Sequence, residues 1–198
     1  MMKRILILAG LILAVPAFAQ DGDRVADLEK RVRDLEERIS RIEKTVQPSD
    51  KAMAQQAKAR QRMQKDSTVY SAEELREIES LYQVANKGWR SQEGKDSLKK
   101  LVEKYGYANR TGCAILYLGQ MSEGKEREEY LKRAVDTFSD CYYGDGVQVG
   151  AYARFYLAIY YGENGQEDKA RKLFKEIREK YPDAVDHKGR ALSDSIKD

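Results

Sequence analysis

The placement of small and bulky residues between 151 and 182 is the feature that most restricts the fold. Ala158 and Ala170 lie where two antiparallel helices would touch, and close approach requires a small side chain opposite a bulky one. Bulky residues surround both contacts at helical spacing: Leu157, Tyr161 and Phe174. Gly165 suits the turn, and Pro182 ends the second helix. The segment therefore predicts one helical hairpin.

This hairpin resembles the tetratricopeptide repeat (TPR), a two-helix unit of about 34 residues. Its small, aromatic and proline positions are met, with Ala158 in place of the usual Gly and Arg154 in place of the Trp. One hairpin cannot bury its apolar face alone. The resemblance therefore implies neighbouring hairpins and an all-α solenoid.

Two further hairpins are expected upstream. Residues 111–138 place Leu118 and Gly119 at a contact between helices. Residues 75–105 carry two apolar stripes at helical spacing, and the region from Gly88 to Gly94 is expected to turn the chain between them. The chain should therefore hold about three hairpins.

Polar segments flank the repeats on both sides. Residues 183–198 predict a C-terminal capping helix, because open-ended stacks need a polar outer face. Residues 48–70 are rich in Ala, Gln, Lys and Arg, and Ser49 or Asp50 can cap a helix there. Since that helix would lack a good buried face, we expect a semi-rigid linker. The repeat domain would then span residues 71–198.

The first residues have the pattern of a secretory signal peptide. Lys3 and Arg4 precede an apolar run, and Ala17 to Ala19 fit a cleavage site. The run is too short to cross a bilayer, which needs about 20 apolar residues. We expect residues 1–19 to be removed, leaving a periplasmic chain with no membrane span. Removing two cations lowers the formal charge from +3 to +1, which gives no case for nucleic acid binding.

A regular heptad pattern follows in residues 20–47 and predicts a coiled coil. Its apolar seam consists of Val25, Leu28, Val32, Leu35, Ile39, Ile42 and Val46. The flanking charges resemble the signature of parallel trimers, in which Arg31 pairs with Glu36 and Arg38 with Glu43 of a neighbouring helix. We expect a homotrimer, with a dimer as the alternative because Val and Leu in the first heptads suit two strands.

The order of signal peptide, coiled coil, linker and TPR repeats resembles the periplasmic Tol-Pal-associated cell division coordinator family, YbgF. The resemblance covers the whole chain by layout, and by residue mainly 150–183, including Lys180-Tyr181-Pro182. It implies a scaffold whose repeats bind the TolA protein or a peptidoglycan-synthesis protein and coordinate envelope constriction at division. A structural envelope spacer, with the coiled coil as the working part, is the alternative.

In a TPR stack the first helix of each hairpin lines the concave face. This places the expected partner-binding residues on two such helices: Tyr152, Phe155, Ile159, Leu116 and Gln120. Aromatic residues supply large contact area at low entropic cost. The alternative is that Phe155 and Ile159 pack against neighbouring helices.

The sequence contains no combination of residues typical of catalysis, metal binding or a cofactor. His187 is the single histidine, so no triad or two-histidine metal site can form around it. Gly144-Asp145-Gly146 lacks the ligands of a calcium or phosphate loop and is expected to be a turn. Cys113 and Cys141 should lie at one end of the second hairpin, either as a disulfide or as two buried free thiols.

Overall fold

The computed structural model describes residues 21–46 and 49–196, with side chains described at 25, 27–39 and 49–196. The chain divides into two compact units, residues 1–47 and residues 48–198. Every regular element in the described residues is helical apart from two isolated β-bridges. The α-helices are α1 (Asp21–Val46), α2 (Asp50–Asp66), α3 (Ala72–Lys87), α4 (Gln92–Lys104), α5 (Asn109–Met121), α6 (Gly124–Thr137), α7 (Val149–Glu163) and α8 (Glu167–Lys180).

The first unit contributes one long helix, α1. Its described seam residues, Val25, Leu28, Val32, Leu35 and Ile39, are each about half exposed. A stripe of half-exposed apolar residues along one helix is the pattern of a coiled-coil seam. Assembly through this stripe stays a prediction, and the signal-peptide prediction for residues 1–19 lies outside the described residues.

The second unit contains α2 and, after it, three helical hairpins: α3 with α4, α5 with α6, and α7 with α8. Local signals begin and end these helices. Ser71 and Glu74 form a capping box at the start of α3, and Ser91 caps α4. Gly94 therefore lies inside α4 rather than in the turn before it. Gly165, at φ +71°, makes the turn between α7 and α8.

The core lies where small and bulky residues from paired helices meet. Ala158, Ala170 and Leu157 are buried, as the repeat pattern predicts. Gly119 packs directly on Leu131, because a Cβ at position 119 would lie only 2.9 Å from Leu131 Cδ2. The all-α hairpin architecture predicted from these contacts is confirmed.

The segment before the repeats is a helix with a buried face, so the prediction that it lacks one is wrong. Ala52, Gln55 and Ala59 of α2 are almost fully buried. At one end Gln55 Nε2 donates to the carbonyl of Asp183 at 2.9 Å. At the other end Asp66 Oδ2 accepts from the amide of Asn109, the first residue of α5, at 2.8 Å. The helix therefore packs on the repeats.

The prediction of a C-terminal capping helix is also wrong. Residues 182–191 form a loop closed by a β-bridge between Val185 and Ala191, and only a short 3-10 helix, Leu192–Ser195, follows. Gly189, at φ +74°, interrupts any helix there. This C-terminal segment is nevertheless packed, because Ala184, Leu192 and Ile196 bury against Ile177 of α8.

No helix within residues 21–46 and 49–196 is long and apolar enough to cross a membrane.

Candidate functional site

A groove of about 490 Å³ runs along the first helices of the three hairpins. The helices α3, α5 and α7 line one side, and the loop between α6 and α7 and the C-terminal segment complete it. The lining residues are Tyr82, Gln83, Asn86, Trp89, Arg110, Tyr117, Gln120, Tyr143, Gly144, Asp145, Tyr156 and His187. The groove is therefore rich in aromatic and amide side chains.

Aromatic rings form both the base and the rim of this groove. Tyr82 and Tyr143 are buried beneath it, whereas Tyr117 and Tyr156 are half-buried. Trp89 is 47% exposed and meets the ring of Tyr117 edge-on at 4.6 Å. Burial raises the pKa of Tyr82, Tyr117 and Tyr143, so their hydroxyls stay neutral.

Arg110 is the cation of the groove, and it is already paired. Its Nε and Nη2 donate to the two carboxylate oxygens of Glu79 at 2.7 and 3.1 Å. The guanidinium also lies 4.5 Å from the ring centroid of Tyr82. Burial alone would raise the pKa of Glu79, but the bonds from Arg110 and Gln83 outweigh it and hold that pKa below its ordinary value. This pair adds no net charge to the groove.

Asp145 and His187 close one end of the groove. Asp145 Oδ2 lies 2.7 Å from His187 Nδ1, and the His187 ring meets the rings of Tyr143 and Tyr152 at near-perpendicular angles. Burial alone would raise the pKa of Asp145, but the interaction with His187 and the bonds from backbone amides together outweigh it and hold that pKa below its ordinary value. The loop Gly144–Gly146 is a turn, and it delivers Asp145 to the groove.

The predicted partner-binding residues divide between groove and core. Gln120 lines the groove. Leu116 is fully buried, so its prediction as a surface residue is wrong. Phe155 packs against Phe174 with ring centroids 6.1 Å apart. Tyr152 stacks on Phe155 and lies beside His187 rather than lining the groove.

The remaining predicted residue of α7, Ile159, is half-buried and does not line the groove. The open face lies one residue further along both first helices, at Tyr117 and Tyr156. One residue turns an α-helix by about 100°. Leu116 is apolar enough for the core, whereas the amphipathic tyrosines can stay at the surface.

The predicted oligomerisation residues are on α1, and each of those with a described side chain is exposed. These are Val25, Leu28, Val32, Leu35, Ile39, Arg31, Glu36 and Arg38. The side chains of Ile42, Val46 and Glu43 lie outside the described residues. Their pairing across a trimer stays a prediction.

Cys113 and Cys141 are buried free thiols in this structure. The thiol of Cys113 donates to the carbonyl of Tyr142 at 3.3 Å, and burial raises its pKa. Burial also raises the pKa of Cys141, to about 12. Protonated, buried thiols are unreactive, so neither residue has the character of a nucleophile.

Sequence reasoning missed most of the groove residues. Trp89 and Arg110 lie outside the repeat consensus, and His187 reaches the groove from a loop far along the chain. The sequence does contain one indication of the groove, its high tyrosine content of 13 in 198 residues. Tyr82, Tyr117 and Tyr156 all occur on first helices, where the groove lies.

The comparisons with known proteins agree with this architecture for the last hairpin. The family model of the tetratricopeptide repeat matches residues 152–184, which include most of α7 and all of α8. No curated protein and no solved structure matches the chain. The chain thus carries a tetratricopeptide repeat, and such repeats stack into concave surfaces that bind protein partners.

Proposed function

We propose that the chain is an exported, oligomeric scaffold that binds a segment of a protein partner in the groove. The aromatic lining of the groove carries this proposal. Tyr and Trp are enriched at binding hot spots because they give large contact areas at low entropic cost. The exposed Trp89 and the half-buried Tyr117 and Tyr156 lie together on the first helices, where TPR stacks bind their partners.

The charged groups of the groove favour recognition over catalysis. Arg110 forms an ion pair with Glu79, and His187 interacts with Asp145. The described residues contain no cluster of three or more potential metal ligands. A non-enzymatic scaffold needs only the shape and the contact area that the groove provides.

The location and biological setting of this scaffold are further parts of the proposal. The signal-peptide pattern supports export to the periplasm, and the heptads of α1 support a homotrimer. The overall layout supports a role at cell division with the Tol-Pal system, through a TolA-like or peptidoglycan-synthesis partner. The exposed stripe on α1 also favours a second candidate, a structural spacer in which the coiled coil is the working part.

Site-specific photo-crosslinking separates the two candidates. A photoreactive phenylalanine analogue is placed at Tyr117 in the groove, or at Lys175 on the outer face of α8 as the control. Cells of the source organism are irradiated, and the crosslinked products are identified by mass spectrometry. The scaffold proposal predicts one partner captured from position 117 and not from position 175. Equal capture at both positions, or no capture from position 117, would favour the spacer.

A further inference from the structure

Three aromatic side chains line the accessible part of the groove. Trp89, Tyr117 and Tyr156 present exposed or half-buried rings, with Tyr82 and Tyr143 buried beneath them. The face of an aromatic ring carries the negative end of its quadrupole. A cation within about 6 Å of such a face is attracted to it. The lining therefore favours positively charged groups.

The fixed charges of the groove point in the same direction. Arg110 is neutralised by the bidentate interaction with Glu79. Asp145 is the carboxylate among the lining residues, and its side chain is 41% exposed. Its side-chain partner is His187, and no lysine is among the lining residues.

Asp145 also retains hydrogen-bonding capacity. Its Oδ2 lies 2.7 Å from His187 Nδ1, and its Oδ1 accepts from the amide of Val147 at 3.3 Å. A carboxylate offers about four acceptor positions, so a further donor can be accommodated. An incoming ammonium or guanidinium group can meet both the aromatic faces and this carboxylate.

The chain itself places cations over the same rings. Arg110 lies 4.5 Å from the ring centroid of Tyr82, and Arg90 lies 5.5 Å from that of Trp89. Arg90 is exposed and is not a lining residue, so solvent and salt screen its charge. Two aromatic residues of the groove are therefore already in cation–π geometry.

We propose that the groove recognises a lysine or arginine side chain of the partner segment, held between the aromatic rings and Asp145. This inference rests on the proposed function and adds the chemistry of the residue that is bound. A glycan is the other ligand class that stacks on aromatic rings, but neutral sugars carry no positive charge to interact with the Asp145 carboxylate. Charge complementarity therefore favours a basic protein segment.

Trp89 supplies a direct readout, because it is the single tryptophan of the chain and lies on the groove. The mature protein is titrated with three capped hexapeptides of Gly and Ser that carry two lysines, two norleucines or two glutamates. Tryptophan fluorescence is followed at low and at high salt, and a chito-oligosaccharide forms a fourth arm. The lysine peptide should bind at least tenfold more tightly than the norleucine peptide, and added salt should reduce that difference.

Matched variants locate the effect. Asp145→Asn keeps the shape of the loop and should weaken lysine-peptide binding about fivefold. Asp168→Asn removes the same charge from α8, where the side chain is 96% exposed, and should change nothing. Tyr117→Phe should keep most of the affinity, whereas Tyr117→Leu retains apolar area but lacks a ring and should lose it.

Several outcomes overturn the inference: equal binding of the lysine and norleucine peptides, no binding of either, or a response to the oligosaccharide alone. The proposed function is tested separately, by measuring how the crosslinked partner binds the wild type and the variants. If that partner binds wild type and Asp145→Asn equally but requires Tyr117, the scaffold stands and the cation site falls. If no partner is captured from position 117, the proposed function itself fails.

Discussion

The turn that presents Asp145 requires glycine at one position and tolerates a side chain at another. Gly146 adopts φ +96°, and a Cβ there would lie 2.8 Å from the backbone amide nitrogen of Gln56 in α2. The turn that presents Asp145 therefore depends on a residue without a side chain. At Gly144, two positions earlier, an added Cβ would meet nothing within 4 Å.

Gly146→Ala should therefore destabilise the protein by about 1–3 kcal/mol, since it combines a strained backbone with a backbone clash. Gly144→Ala, in the same turn, should change the free energy of unfolding by less than about 0.5 kcal/mol. Urea denaturation of both variants measures the difference. Similar values for the two alanines would mean that α2 does not pack on this turn.

Asp186 gives the C-terminal loop a dependence on pH. Its side chain is 10% exposed and accepts from Arg190 Nε and Nη2 and from the backbone amides of Lys188 and Arg190. Burial alone would raise the pKa of Asp186, but these bonds outweigh it and hold the pKa below the ordinary value of 3.8. Because the pKa of Asp186 is lower in the folded state than in the unfolded chain, its ionised carboxylate stabilises the fold at pH values above the unfolded-state pKa.

This stabilisation should be fully present above pH about 5 and lost as the pH falls through the lowered pKa. Asp186→Asn should therefore be less stable than wild type at neutral pH, and the gap should close on acidification. Thermal unfolding from pH 7 to pH 2.5 follows the gap. A difference that is constant with pH would show that the charge of Asp186 contributes nothing.

Among the elements, the hairpins and the Ser49-capped helix α2 could be predicted from sequence, but the packing of α2 on the repeats could not. Hairpin packing follows local rules, because Ala158 and Ala170 meet within one repeat and the spacing is visible along the chain. The buried face of α2 consists of Ala52, Gln55 and Ala59, which form no hydrophobic stripe. Its contacts are with loops and with the start of α5, all far away in sequence, so no local pattern reveals them.

The groove was only partly predictable for a related reason. The first helices were the right elements, but a search for apolar residues selects Leu116, which the core uses, rather than Tyr117. His187 reaches the groove only because the C-terminal segment folds back as a loop. Tertiary contacts of this kind leave no periodic signal in the sequence.

A substitution at Gln55 tests whether the packing of α2 stabilises the repeats. Gln55→Ala removes a side chain that is 2% exposed, together with its hydrogen bond to the Asp183 carbonyl, and should cost about 1–3 kcal/mol. Gln61→Ala changes an exposed position of the same helix and should cost less than about 0.5 kcal/mol. Chemical denaturation compares the two. Equal effects would contradict a stabilising role of α2 and would mean that it contacts the repeats without stabilising them.

For the whole molecule, the seam of α1 predicts the state of assembly. The chain without residues 1–19, the predicted signal peptide, should be a trimer by multi-angle light scattering. Ile39→Asp with Ile42→Asp should reduce it to a monomer, because unpaired buried carboxylates at seam positions are costly. Lys30→Asp with Arg33→Asp places two carboxylates outside the seam and should leave the trimer intact. A monomeric wild type would contradict the coiled coil, and a dimer would select the alternative.

The binding of a protein partner in the groove is the central claim, and the affinity of the partner captured from position 117 tests it most directly. Isothermal titration compares the wild type, Tyr117→Ala with Tyr156→Ala, and Lys172→Ala with Lys175→Ala on the outer helix α8. The groove variant should weaken binding about thirtyfold or more, equivalent to about 2 kcal/mol, with helicity and assembly unchanged. The α8 variant should bind like wild type. Unchanged affinity of the groove variant would place the binding site elsewhere and contradict the account.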